Sequence, residues 1–365
     1  MLAFSLLILI CWTNNVTQRT GLHEPMNTKQ GRLSFITRFT CVTLGIFGLG
    51  LQVSAQTVEL QEVLSFGDFY DIGDIETTED GSILISDVKN FTVFKYDAGG
   101  RLLRRSGRSG RGPGEFAGGP NHIALVDGDV LVSDLRAFAV HRFDANLNYI
   151  SSLRPLAPMT MDTGPDGRIY IGIPDILSDQ YVTVYGSDGV EISKLSIDHL
   201  SGHNLENRFW LLAGQEDRII LVFAALNRID IRDTKGRLLR QLSIAGLPHK
   251  YPGALLDLPE LSGEVSERVA KARRAARYVP GGLVFTMAVL DYRGHIFLEG
   301  GGEVGKLPVS RTVYVVDLFG EVKAVFSLPP HLKLAHVDRE GHLYAIEELK
   351  EGSKVRKYKM VYRDF

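Results

Sequence analysis

Short apolar strands alternate with tight polar turns along most of the chain, and this arrangement recurs. In the clearest copy, the turn Asp80-Gly81 leads into an apolar strand that ends at Ser86-Asp87, and a second strand follows over residues 91–96. Comparable strands follow the turns Asp127-Gly128 and Asp166-Gly167. A period of roughly 40–50 residues with four strands in each unit is typical of a β-propeller.

The turns divide the chain into six units, so the sequence predicts an all-β fold, a six-bladed β-propeller of four-stranded antiparallel blades. The last unit ends at Phe365 after its third strand, whereas residues 57–66 form a strand that precedes the first unit. We expect this N-terminal strand to complete the last blade and close the ring, because closure removes an exposed sheet edge.

An apolar run at residues 39–51 marks the N-terminal segment as a leader. The run has 13 residues, follows a basic region and precedes the small residues Val53-Ser54-Ala55. This pattern predicts a secretory signal peptide that is cleaved before Gln56. The run is shorter than the roughly 20 residues of a spanning helix. We therefore expect no membrane span after cleavage and a periplasmic or extracellular location.

The predicted domain boundaries follow from this leader. We expect residues 1–25 to lie upstream of a true start at Met26, with a longer or double leader as the alternative. Residues 26–55 would be the signal peptide, and residues 56–365 a single propeller domain that is a monomer. Both cysteines precede residue 56, so no disulfide or thiol chemistry is expected in the domain.

The charge balance narrows the expected partners. The chain has 41 basic and 43 acidic residues and a net charge of −2. Because a nucleic-acid-binding protein ordinarily carries a basic excess, no nucleic acid partner is expected. A small molecule, a glycan or a protein remains as the expected ligand.

One segment goes beyond the general pattern of a propeller. Residues 107–116 read GRSGRGPGEF, and residues 120–125 continue as PNHIAL. This segment resembles an NHL-type repeat, in which a G-x-G-P-G-E-F turn leads into the inner strand of the next blade. Residues 56–365 as a whole are similar to secreted bacterial six-bladed propellers of the NHL-like class. The class includes binding modules and enzymes, so the resemblance implies the fold and leaves the activity open.

The residue before each inner strand is predicted to lie at the mouth of the central channel. Five of the six residues at this position are polar, which favours a ligand site over a packing ring; the alternative is that they only solvate a wet channel. The six are Asp74, His122, Thr160, Trp210, Thr286 and Lys333. We add Asn121 and Arg208 to this candidate ligand-binding set because they lie beside it in sequence.

Two insertions are expected on the same face as the channel mouth. One covers residues 198–208, and the other covers residues 245–281, between the fourth and fifth units. Within the second, residues 264–278 are predicted to form a helix, since acidic residues occupy its first turn and basic residues its end. Such a helical insertion suits a lid or wall of the channel, with a partner surface or a tolerated decoration as the alternatives.

A metal ion is the cofactor to test. His122, His199 and His203 lie in connections of the predicted channel face, and the resemblance to NHL-like amidating lyases implies zinc bound by histidine. A gluconolactonase-type enzyme would instead use calcium, to which Asp74 and Asn121 could contribute oxygen ligands. The sequence thus favours a ligand- or protein-binding module, with a metal-assisted lyase or hydrolase in the same channel as the alternative.

Overall fold

The computed structural model describes residues 56–155, 158–173, 180–197, 200, 206–214, 217–255, 270, 278–303 and 311–363. The described residues belong to one compact unit. The first strand, β1 (Gln56–Phe69), precedes four antiparallel four-stranded sheets, each of which has the strand order of a propeller blade.

The strands of these four blades follow one another in sequence. The first blade has β2 (Ile72–Thr77), β3 (Ile83–Asp87), β4 (Thr92–Tyr96) and β5 (Leu102–Ser106). The second has β6 (Ile123–Val126), β7 (Asp129–Asp134), β8 (Ala139–Phe143) and β9 (Tyr149–Leu153). The third has β10 (Thr160–Thr163), β11 (Ile169–Ile173), β12 (Gln180–Tyr185) and β13 (Glu191–Ile197). The fourth has β14 (Phe209–Gly214), β15 (Arg218–Phe223), β16 (Ile229–Asp233) and β17 (Leu238–Leu242).

A β-ribbon stands where the helical insertion was expected. The described ends of the insertion pair as β18 (Ala254–Leu255) and β19 (Tyr278–Val279). The helical insertion is therefore corrected, because no helix is among the elements of the described residues. Most of the expected helix, residues 264–278, lies outside those residues. Among the residues that the structure describes, no helix is long and apolar enough to cross a membrane.

The remaining strands form one eight-stranded sheet. They are β20 (Gly282–Leu290), β21 (Ile296–Glu303), β22 (Arg311–Val316), β23 (Val322–Leu328), β24 (Leu332–Val337), β25 (His342–Glu348) and β26 (Ser353–Arg363). The order is β20-β21-β22-β23-β1-β26-β25-β24. The expectation of six separate four-stranded blades is thus wrong: the described residues form four such blades and one continuous sheet of twice that width.

The N-terminal strand is the physical reason for this continuous sheet. As expected from the sequence, β1 pairs antiparallel with the C-terminal strand β26, from Thr57 opposite Arg363 to Phe69 opposite Ser353. Its first two residues also pair in parallel with β23, where Gln56 lies opposite Ala324. Because β1 has hydrogen-bonding edges on both sides, one strand joins two groups of strands that would otherwise be separate.

The first strand of each blade and the two edge strands of the wide sheet form a closed ring. Contacts run from β2 to β6, β10, β14, β20 and β24, and from β24 back to β2. These inner strands surround a central channel, which defines the propeller. Apolar clusters lie between consecutive blades: Leu84 and Val93 of the first blade pack with Ile123 and Val130 of the second. The outer strand β5, by contrast, is largely exposed.

Candidate functional site

The ring of inner strands encloses a cavity of about 470 Å³. Residues of β2, β6, β10, β14, β20 and β24 line it, together with the turns that follow several of these strands. Small-molecule sites commonly have volumes of roughly 300–1,000 Å³. The cavity is therefore large enough for a small ligand, and rigid strands position its side chains.

Three carboxylic acids enter this cavity from two strands. Asp74 and Glu76 lie two residues apart on β2 and so project to the same face, while Ile75 between them is buried in the core. Asp162 lies on β10 and also lines the cavity. Because like charges in one cavity oppose each other's ionisation, the protonation of each acid depends on the charge of the other two.

The carboxylates of Asp74 and Asp162 also hold neighbouring blades together. Oδ2 of Asp74 accepts a hydrogen bond of 2.8 Å from the backbone N–H of Ile123 on β6. Oδ2 of Asp162 accepts an equivalent bond of 2.8 Å from the N–H of Ala213 on β14. In β6 and β14, the acid of the preceding blade thus satisfies an N–H on the edge of the inner strand that faces the channel.

Burial raises the pKa of all three acids. The pKa of Asp74 lies well above its ordinary value, although its hydrogen bond from Ile123 opposes the increase. Burial raises the pKa of Glu76 to about 7. It also raises the pKa of Asp162 to about 7, and the nearby charge of Glu76 adds to this increase. The cavity therefore contains carboxyl groups that gain and lose protons near neutral pH.

Two imidazoles face these acids. Nε2 of His122 lies 3.0 Å from the carbonyl oxygen of Met159, so this nitrogen donates and Nδ1 is left as the acceptor, 3.8 Å from Oδ2 of Asp74. Nε2 of His336 lies 2.9 Å from Oγ1 of Thr77 and 3.6 Å from Oε1 of Glu76.

Burial lowers the pKa of both imidazoles. The pKa of His122 falls below its ordinary value, and the pKa of His336 falls to about 4. Both rings are therefore neutral at pH 7, when Glu76 and Asp162 are partly ionised. Each acid–imidazole pair can store or exchange one proton, which is the arrangement that general acid–base chemistry requires.

The structure places four of the eight sequence-predicted ligand-binding residues in the lining of the cavity. They are Asp74, His122, Thr160 and Trp210. Oγ1 of Thr160 accepts a hydrogen bond of 3.0 Å from the N–H of Leu211, so this side chain also links two inner strands.

The other four predicted residues lie outside the cavity lining. Thr286 donates from Oγ1 to Oε1 of Glu299 at 2.7 Å, and Lys333 forms an ion pair with Glu348. The backbone of Asn121 is held between the first two blades, where its carbonyl oxygen accepts a hydrogen bond from Ser86. Arg208 is exposed, and its positive charge lowers the pKa of His122 further.

Sequence reasoning missed Glu76, Asp162 and His336, and also Asp291 and Arg339, which follow β20 and β24. The first three lie inside an inner strand rather than before it. The signal that could have found them is a charged residue within a short strand that is otherwise buried, such as Asp162 beside Met161.

The expected histidine site for a metal cannot be assembled from the described residues, because His199 and His203 lie outside them. Among the described residues, Asp338, Glu340 and His342 do have ligand atoms close enough to share an ion. However, Oδ1 of Asp338 accepts the N–H of His342 at 2.7 Å, and Oδ2 pairs with Nζ of Lys357 at 3.1 Å. Both oxygens of the Asp338 carboxylate thus already have partners, one in the backbone of the turn and the other in the ammonium group of Lys357.

Comparisons with known proteins support the fold. No protein-family model matches the chain, and no curated protein matches it. Among solved structures, a streptogramin B lyase is similar over 84% of this chain and 98% of its own, with 12% identity and a TM-score of 0.50. A candidate exported protein of Bacteroides fragilis covers 83% of this chain and 95% of its own, with 12% identity and a TM-score of 0.54.

A third similar structure belongs to the DUF4221 family. This protein, from Bacteroides vulgatus, is similar over 86% of this chain and all of its own, with 13% identity and a TM-score of 0.51. Identities this low show the fold alone. Together with the closed ring of inner strands, these similarities establish that residues 56–363 form a β-propeller.

Proposed function

We propose that this protein is an exported β-propeller that binds a small polar ligand in its central cavity. The cavity itself is the observation that supports this function: about 470 Å³ of space is lined by acids and imidazoles on rigid strands. Glu76, Asp162 and His336 lie on inner strands of three different sheets, and all three line this one space. Ligand sites ordinarily combine such a preformed concavity with a few converging polar groups.

The leader pattern of residues 26–55 supports export. A basic region, an apolar run and small residues before Gln56 are the three parts of a cleavable signal peptide. We expect the protein recovered from the periplasm or the medium to begin at Gln56, which the mass of the intact protein will check. Recovery of the chain in the cytosol with residues 26–55 still attached would contradict export.

Ligand binding can be followed through one tryptophan. Trp12 precedes the predicted cleavage site, so Trp210 in the cavity wall is the only tryptophan of a chain that begins at Gln56. We expect some members of a library of small anions, neutral polar compounds and cations to change its fluorescence. The same compounds should raise the midpoint of thermal unfolding, since a ligand that binds only the folded state stabilises it. If no compound does both, the cavity is not a small-molecule site.

A lyase or hydrolase in the same cavity is the second candidate function. Glu76, with a pKa of about 7, lies 3.6 Å from the neutral ring of His336, and such a pair is suited to proton transfer at neutral pH. Similar structures include a streptogramin B lyase and a catalytically inactive histidine-to-alanine variant of the Staphylococcus aureus virginiamycin B lyase with quinupristin. The two candidates differ in what becomes of a compound that binds in the cavity. If the compound is recovered as a product from the parent protein, but unchanged from Glu76→Gln, the protein is an enzyme. If it is recovered unchanged from both proteins, the protein is a binding module.

A further inference from the structure

We infer that the ligand of the central cavity is a small organic cation, such as an amine, whose charged nitrogen binds the carboxylate of Glu76. This inference rests on the proposed function, because it assigns the chemical class of the ligand for that same cavity. It depends on the free oxygen of Glu76, on the charge balance of the lining and on the apolar residues within the lining.

Glu76 differs from the other two acids in its hydrogen bonds. Both oxygens of Asp74 and both oxygens of Asp162 accept backbone N–H groups. In Glu76, Oε1 accepts the N–H of Thr77 at 2.9 Å, whereas Oε2 accepts no hydrogen bond from the described residues. The side chain of Glu76 is also 27% exposed, against 18% for Asp74. An oxygen of Glu76 is therefore available to a donor on a ligand.

The charges of the lining favour a cation. Four acids and one arginine are among the described lining residues. Glu76 and Asp162 are partly ionised at pH 7, whereas the two imidazoles are neutral. Two of the other charged groups have partners outside the lining: Arg339 pairs with Glu79 at 2.8 Å, and Asp291 lies 3.1 Å from Nδ1 of His295. A cleft lined by one sign of charge concentrates ligands of the opposite sign.

The apolar part of the lining indicates an organic cation rather than a metal ion. Trp210 and Met287, which are partly buried, bring an indole and a thioether side chain into the lining. Aromatic faces attract organic cations, and methionine adapts to irregular apolar ligands. Among the described residues, the cavity acids do not form a group whose oxygens are close enough to share a metal ion.

Binding of a cation by Glu76 has to compete with protons, because burial raises the pKa of this carboxyl to about 7. A protonated Glu76 carries no charge, so affinity for a cation should increase as the pH rises through 7. Other charged or titratable groups face the same cavity from the surrounding strands and turns. They are Asp74 on β2, His122 on β6, Asp162 on β10, Asp291 and Tyr292 after β20, His336 on β24 and Arg339 after β24.

The experiment compares three probes of similar shape and different charge. They are 2-phenylethylamine, 2-phenylethanol and 3-phenylpropionate, titrated against the protein that begins at Gln56 while the fluorescence of Trp210 is recorded. We expect the amine to bind at least about tenfold more tightly than the alcohol, because a hydrogen bond to a charged group contributes about that factor in affinity. This preference should be larger at about pH 8 than at about pH 6.

Two variants test whether the charge of Glu76 causes the preference for the amine. Glu76→Gln should lower the affinity for the amine about tenfold and leave the affinity for the alcohol unchanged. Glu191→Gln removes the same charge from the exposed outer strand β13 and should change neither affinity.

Equal binding of amine and alcohol, tighter binding of the carboxylate, or no binding of any probe would each overturn the inference. The library of small anions, neutral polar compounds and cations tests the proposed function separately. If only anionic or neutral compounds bind in the cavity, this inference fails, but the proposed function as a small-molecule binding protein stands.

Discussion

Asp134→Ala is expected to lower the free energy of unfolding by about 2–4 kcal/mol, since it leaves several backbone donors without an acceptor. Asp134 is fully buried at the end of β7. Its carboxylate accepts the N–H groups of Ala117 at 2.5 Å, Gly118 at 3.1 Å and Ala137 at 3.0 Å. Alanine can accept none of these hydrogen bonds, and the loop that leads to His122 would lose its attachment to the second blade.

Urea denaturation of the variant and the parent protein measures this change. Asp68→Ala is the matched control, because the Asp68 side chain is 91% exposed and its loss should change stability by no more than about 0.5 kcal/mol. The equivalent residue of the first blade, Asp87, is also fully buried and accepts the N–H of Tyr70 at 2.9 Å. Asp87→Ala should therefore behave like Asp134→Ala, and a loss below about 1 kcal/mol in both would contradict this role of the carboxylate.

The strands could be predicted because their pattern is local. Turn residues delimit β3 and β7, and both strands end at the Ser-Asp pair that the repeat indicated. Pairing between β1 and β26 could also be predicted, since the last unit lacked a strand and β1 had no unit of its own. The wide sheet could not be predicted, because the parallel pairing of Gln56 with Ala324 requires β23 to lie close to β1 in space.

Two of the candidate residues were predicted correctly because the predicted start of their inner strand was close to the real one. Thr160 and Trp210 stand at the start of β10 and β14, and both line the cavity. Thr286, by contrast, lies well inside β20, which begins at Gly282 and has a register shift between Phe285 and Met287. Its hydroxyl therefore meets Glu299 instead of the cavity.

The missed residues needed information that a single strand does not contain. Asp162 reads as an ordinary polar residue at the end of a short strand, and its hydrogen bond from Ala213 joins residues 51 positions apart. His336 likewise meets Thr77 across 259 positions. Only the closed ring brings these strands together, so the proton-exchanging character of the cavity is a property of the assembled propeller.

Glu76→Gln is expected to stabilise the ligand-free protein at about pH 8 by on the order of 2–3 kcal/mol. The ordinary pKa of this carboxyl is 4.5, and burial raises it to about 7 in the folded protein. At any pH between these values, the folded protein keeps a proton that the unfolded chain has lost. Stability therefore falls as the pH rises from 4.5 to 7, and above 7 the folded state bears the full cost of burying the ionised group. Glutamine has no charge and avoids that cost.

The pH dependence separates this effect from a general improvement in packing. Below about pH 4 the carboxyl is protonated in both states, so the difference between Glu76→Gln and the parent protein should vanish there. His336 titrates in both proteins, and its contribution to stability should therefore largely cancel from the difference. Urea denaturation across this pH range gives the measurement, with Glu191→Gln as the exposed control. A gain that is the same at all pH values would show that burial of the Glu76 charge is not its cause. A gain confined to neutral and alkaline pH, together with weaker binding of 2-phenylethylamine, would show that the charge is retained for the ligand at the expense of stability.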